Sequence, residues 1–199
     1  MGFSTLIDIL GSIMIGGILL MILLRLNDSA VQNSFQYNCE AITQRNLVEI
    51  VQLLEHDFRK IGFCKDWNNF PDPTKAIIAA DSTTITFLCD VDSDKDMDTL
   101  RYILGSSDEL LQTPNPNDKM LYRQVNNEPL GGANLGVTQF KLTYFDSFGV
   151  EIPFPILTPS EIYTMQIDLV VEDVVAYNQE YNRVFWRQIR LAARNLGNR

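Results

Sequence analysis

Histidine, cysteine and basic residues are all scarce in this sequence. Its 199 residues hold one His, His56, three Cys, and 16 Lys and Arg against 25 Asp and Glu, for a net charge of −9. Each shortage excludes something. Duplex nucleic acid demands neutralisation of phosphates by clustered bases, so an acidic chain argues against that partner, and equally against general attraction to anionic lipid. With one histidine and no CxxC spacing, no structural zinc site is expected. Ser–His–Asp catalysis would have to rest on His56, which lies in EHDFRK beside Glu55, Asp57, Arg59 and Lys60; that run reads as the exposed face of a helix. GxSxG is missing, and GGANLG at 131–136 lacks the lysine and the following helix of a phosphate loop. No enzyme activity is expected. Proline is absent before Pro71, so nothing of that kind interrupts a helix in the first third of the chain.

What is present first is a long apolar run. Residues 3–25 read FSTLIDILGSIMIGGILLMILLR. Phe3 to Leu24 is about 22 residues, and at ~1.5 Å per residue a helix of that length spans a ~30 Å hydrocarbon core. Gly11, Gly16 and Gly17 are tolerated in such a helix and permit close approach of another. Arg25 and Leu26 follow where a secretory signal would place small residues for cleavage. Asp8 is the only charge between Phe3 and Leu24. A carboxylate in lipid costs a few kcal/mol and by default marks function. The plainer reading places it near the headgroups at little cost.

Helical patterning continues past Arg25. Residues 27–38 are polar and mixed; then Leu47, Val48, Val51, Leu54, Phe58 and Ile61 recur in steps of three and four, one apolar stripe. Arg59 and Lys60 suit a helix C-terminus and Gly62 a stop. The spacing predicts one helix from Phe3 to about Ile61, roughly 80–90 Å long, greasy all round in its first half and one-sided in its second. The chain thus divides into a membrane segment at 1–26, an amphipathic continuation at 27–62 and a globular domain at 63–199.

Beyond Pro71 the period changes. STTITFL at 82–88 alternates and is rich in β-branched residues. LRYIL at 100–104, MLYRQV at 120–125, VTQFKLTYF at 137–145 and YTMQIDLVVED at 163–173 are further strands; WRQIRLAARNL at 186–196 ends the sheet as a strand or begins a short helix. NNEPLGG at 126–132 and DSFG at 146–149 read as turns. One long helix followed by a run of strands indicates an α+β fold, an antiparallel sheet packed on the helix stripe.

The densest candidate site is DVDSDKDMD at 90–98, five aspartates in alternation. Asp90, Asp92 and Asp94 supply the carboxylates that calcium favours. The EF-hand pattern is broken, with Lys95 at its glycine position and Arg101 at its final glutamate. A solvated acidic loop between two strands is the alternative. In an oxidising compartment Cys64 and Cys89 could pair as a disulfide; separate thiols are the other reading.

GFSTLIDIL at 2–10 resembles the processing site of type IV pilins and type II secretion pseudopilins. LLEHDFRKIGF at 53–63, TITFLCDVDSDKDMDTLRYIL at 84–104, LYRQVN at 121–126, GVTQFKLTYFDSFGVEI at 136–152, IDLVVED and WRQIRLAARNL resemble, in that order, the larger PilW-type minor pilins and minor pseudopilins. The resemblance covers nearly the whole chain. It implies that a prepilin peptidase cuts after Gly2 and that Phe3 becomes a methylated N-terminus. It also implies a pilin-like fold and a single-pass inner-membrane subunit with a periplasmic or extracellular sheet domain. The family's acid, at mature position five, meets the terminal amine of a neighbouring subunit. Here that position is Ile7, and Asp8 stands one residue further, about 100° around the helix. The implied role is a minor pilin or pseudopilin that initiates or caps a filament, a place that large loops at 105–120 and 146–162 suit. Its partners would be other such subunits, the peptidase and the membrane, with no nucleic acid. No cofactor is required, and calcium is optional. The rival expectations are a membrane-anchored binding domain that never polymerises, calcium-dependent in one form, and a tethered hydrolase using loop carboxylates.

Overall fold

In the computed structural model, which describes residues 2–70, 72–173 and 181–191, one helix, α1 (Gly2–Arg59), opens the chain. Seven strands follow: β1 (Ile77–Ala80), β2 (Thr84–Cys89), β3 (Asp98–Leu104), β4 (Lys119–Val125), β5 (Gly131–Phe145), β6 (Thr164–Glu172) and β7 (Arg183–Leu191). They form one sheet in sequence order, each strand antiparallel to the next. This is the α+β layout the period change implies. The contacts divide the chain into two compact units, Met1–Ala41 and Ile42–Arg199.

The first unit is helix throughout its described residues. From Thr5 to Ala41 none is buried. Gly11, Gly16 and Gly17 do not interrupt α1, and a Cβ at any of them would meet open space.

The second unit carries the core. Leu47, Ile50, Leu54, Phe58 and Ile61 bury one stripe against Ile85, Phe87, Leu100, Tyr102, Val137, Phe140 and Leu142 of the sheet. Phe58 meets the rings of Phe87 and Tyr102, each 5.5 Å away between centroids. The stripe corrects the expected one at two places. Val48 is 51% exposed, and Ile50, at the proper three-residue step from Leu47, takes the buried position. The helix ends at Arg59, close to the expected Ile61. Gly62 turns the chain at a φ of +69°, and its N–H bonds the Leu88 carbonyl at 2.8 Å. That left-handed conformation suits glycine at a helix exit.

Two strands differ from the sequence reading. β1 is short and lacks an alternation long enough to read. β5 begins at Gly131, inside the stretch expected to be a turn. Its first part pairs with β4, through Ala133 opposite Leu121, and its second part pairs with β6, through Phe140 opposite Leu169. β7 settles the last expected segment as strand as far as Leu191; residues 192–196 of it lie outside the described residues.

Candidate functional site

Three places carry the residues the sequence singles out. The first is the apolar part of α1. Gly2 and Phe3 lie in its first turn. Leu6, Ile13, Leu20 and Leu24 are each more than half exposed, and Asp8 is exposed among them. Ser12 Oγ donates to the Asp8 carbonyl at 2.7 Å, a bond one helical turn back that keeps the hydroxyl satisfied without water. By length and composition this helix can cross a membrane.

The second place is the β2–β3 loop. Cys89 pairs with Asp98 across the hairpin, so the chain returns and sets Asp98 beside Asp90. Single carboxylate oxygens of Asp90, Asp92 and Asp98 all lie within 4.8 Å of one another. The expected trio is thus altered. Asp94 is exposed and outside this group, its Oδ1 accepting the Asp96 N–H at 2.8 Å, and Asp98 takes its place. Asp90 is fully buried. Its Oδ2 accepts the Lys65 N–H at 3.1 Å and the Lys95 N–H at 3.2 Å, while Oδ1 is buried without a partner. Burial pushes this carboxyl upward, but the bonded N–H groups of Lys65 and Lys95, with those of Ser93 and Asp94 nearby, hold it below the usual carboxylate range. Lys95 adopts a φ of +88°, the left-handed conformation the sequence pattern assigns to glycine.

Cys64 and Cys89 are buried thiols that are not bonded to each other. The Cys64 Sγ–H donates to the Lys95 carbonyl at 3.3 Å. Burial, with the charges of Asp57 and Asp98, pushes the Cys89 thiol up to about 12. Here the two stand as separate thiols. Cys64 anchors the acidic loop instead.

The third place is one the sequence reading misjudged. Asp57 does not belong to an exposed face: its side chain is 2% exposed. Asp57 Oδ2 accepts from Tyr102 Oη of β3 and from Arg123 Nε of β4, both at 2.6 Å, and Oδ1 stands 3.1 Å from His56 Nδ1. Burial raises this carboxyl; the bonds from Arg123, Tyr102 and His56 outweigh it and leave the group lowered. Burial and the Asp57 charge push Tyr102 upward. His56 itself is a surface residue as expected, its side chain 62% exposed. The signal available in the sequence was position: 57 is three residues after Leu54, on the buried stripe. The ion pair with Arg123 and the hydrogen bond from Tyr102 tie the helix to two strands.

Beside it, a cleft of about 460 Å³ opens between α1 and the sheet, lined by Ile50, Leu53, Leu121, Val125 and Leu135 together with Arg123. Its lining is chiefly apolar, with Glu49 and Glu128 as the acidic members. None of the family models, curated proteins or solved structures compared with the chain matches it.

Proposed function

We propose that the protein is a pilin-like structural subunit, a minor pilin or pseudopilin. The first half of α1 holds it in a membrane and then packs among other subunits. One observation carries this reading: an unbroken helix whose first twenty-odd residues are apolar on every side, with a single acid near the start, continues into a one-sided helix packed on an antiparallel sheet. Covering each large apolar side chain gains about 1.5–3 kcal/mol, so this stretch demands lipid or neighbouring helices. Asp8 is acceptable in either setting if a partner amine meets it, since a buried charge is stable only when paired. The globular part would face the periplasm or the cell exterior, and loop 146–163, where Phe148 and Leu157 are 89% and 87% exposed, offers contacts at a filament end.

The test is the intact mass of the N-terminus from native membranes, together with filament assembly by an Asp8→Ala variant. A methylated Phe3 terminus and loss of assembly are expected. An uncut chain, or assembly indifferent to Asp8, would overturn the reading.

The cleft between α1 and the sheet favours a second reading, an anchored domain that binds an apolar ligand and never polymerises. That reading predicts an uncut N-terminus and a chain that stays monomeric in the membrane.

A further inference from the structure

We propose that the β2–β3 loop binds a calcium ion between Asp90, Asp92 and Asp98. The proposal is independent of the filament reading. It begins with the buried Asp90, whose Oδ1 has no partner. A buried anion left partly unsatisfied is costly unless a counter-charge meets it. The Oδ2 of Asp90 is held by the Lys65 and Lys95 N–H groups, so the side chain is fixed in place while Oδ1 is left for a cation to meet.

Nearby ammonium groups do not fill that place. Lys60 Nζ donates to the Val91 carbonyl at 2.8 Å, and Lys65 Nζ to the Ser93 carbonyl at 3.1 Å. Both bonds shape the loop and leave Asp90 Oδ1 open. The neighbours of Asp90 are instead two more carboxylates. Asp98 is already oriented: its Oδ2 accepts the Val91 N–H at 3.0 Å and its Oδ1 accepts from Asn126 Nδ2 at 2.7 Å. All three acids are thus oriented by donors, Asp92 through the Asp94 N–H, which its Oδ1 accepts at 3.2 Å; Asp92 is the exposed member, on the side from which an ion would enter. Like charges this close repel one another, and an ion between them converts that repulsion into attraction.

The donor chemistry selects the ion. All three are carboxylate oxygens, which suit hard cations over zinc or copper. Calcium accepts irregular sets of six to eight oxygens, with water completing the shell, whereas magnesium demands near-ideal octahedral geometry. Three acids on a partly exposed loop, with Lys60 and Lys65 close by, place the dissociation constant on the order of 10⁻⁵–10⁻⁴ M. Bound there, the ion would fasten the hairpin tip to the exit of α1, because Asp90 also bonds the Lys65 N–H and donates its own N–H to the Phe63 carbonyl.

The experiment uses the full chain in detergent micelles, stripped with chelator and titrated with calcium chloride. Thermal unfolding and calorimetry are the readouts. Calcium at about 100 times the dissociation constant is expected to raise Tm by roughly 5–10 °C. Asp92→Asn, a surface change that should leave folding intact, and Asp98→Asn are each expected to weaken binding at least tenfold. Asp94→Asn is expected to change it less than about threefold. Absence of both heat and Tm shift in the wild type at 10 mM calcium would overturn the proposal. So would a loss in Asp94→Asn equal to that in Asp92→Asn, which would mean diffuse attraction to an acidic loop and not a site built on this trio.

Discussion

Asp57 and Arg123 form a pair in which one partner is hidden and the other is not: their side chains are 2% and 27% exposed. Breaking a fully buried pair costs about 3–5 kcal/mol, and the partial exposure of Arg123 reduces that figure, so Asp57→Asn is expected to destabilise by roughly 1–3 kcal/mol in denaturant unfolding at pH 7. The pH dependence has a definite sign. The folded carboxyl lies below its ordinary value of 3.8, so its contribution is present above that value and is lost as pH falls through the folded one. Wild type should therefore lose stability more steeply below about pH 4 than Asp57→Asn does, and the two should converge in acid. Parallel curves would show that the pair is structurally idle. A second position is fixed by geometry alone. Gly136 has a φ of +74°, and a Cβ there would lie 2.3 Å from the Glu172 carbonyl oxygen. Gly136→Ala is expected to cost on the order of 2–4 kcal/mol, because both the backbone and the β5–β6 contact must give. A chevron or melt indistinguishable from wild type would refute that.

Among elements, α1 was the most legible in the sequence and its phase the least. The run of apolar residues and the lack of proline announce the helix; which residues face the sheet depends on 100° steps that a charged string such as EHDFRK disguises. Leu54 is fully buried while its neighbour Leu53 is 44% exposed. Leu54→Ala should thus cost about 2–5 kcal/mol, and Leu53→Ala within about 0.5 kcal/mol, measured as shifts of the urea midpoint at constant m. Equal costs would mean the helix is rotated on the sheet. The strands read well where alternation runs long, as in β2 and β6. β5 was hidden by its own glycines. Gly131 and Gly132 resemble turn chemistry, yet a Cβ on Gly132 would meet the Tyr122 ring at 2.8 Å, so glycine there lets an aromatic lie across the strand. The acidic loop was legible in composition and not in geometry. Alternation suggested the first three aspartates, but the hairpin folds back, and Asp98 reaches Asp90 through strand pairing that no spacing rule reveals.

At the scale of the whole molecule, the two compact units have different reasons to exist. The apolar core begins at Leu47, and before it Thr43 is buried and bonded to Asp173 while Asn46 donates to the Leu135 carbonyl, all within the second unit. The described residues from Thr5 to Ala41 bury no side chain within the chain, so their apolar surface is directed at an environment and not at their own fold. A chain beginning at residue 42 should accordingly unfold as one cooperative transition, with a Tm within a few degrees of the full-length protein, and should stay in the aqueous phase without detergent. The remaining helix is short enough that it would be marginal alone in water, since isolated helices under about 12–15 residues scarcely form and longer ones are only partly populated. Leu47, Ile50, Leu54 and Phe58 hold it on the sheet, so helicity and tertiary packing should be lost together, at one temperature by far- and near-ultraviolet circular dichroism. The full chain, in contrast, should partition completely into vesicles or micelles. If the shortened chain aggregates or melts without cooperativity, residues before 42 contribute to the fold as well as to anchoring. If it is folded and soluble, the anchoring property belongs to the first unit alone, and Asp8, the one charged residue between Phe3 and Leu24, is the group whose surroundings must be probed there.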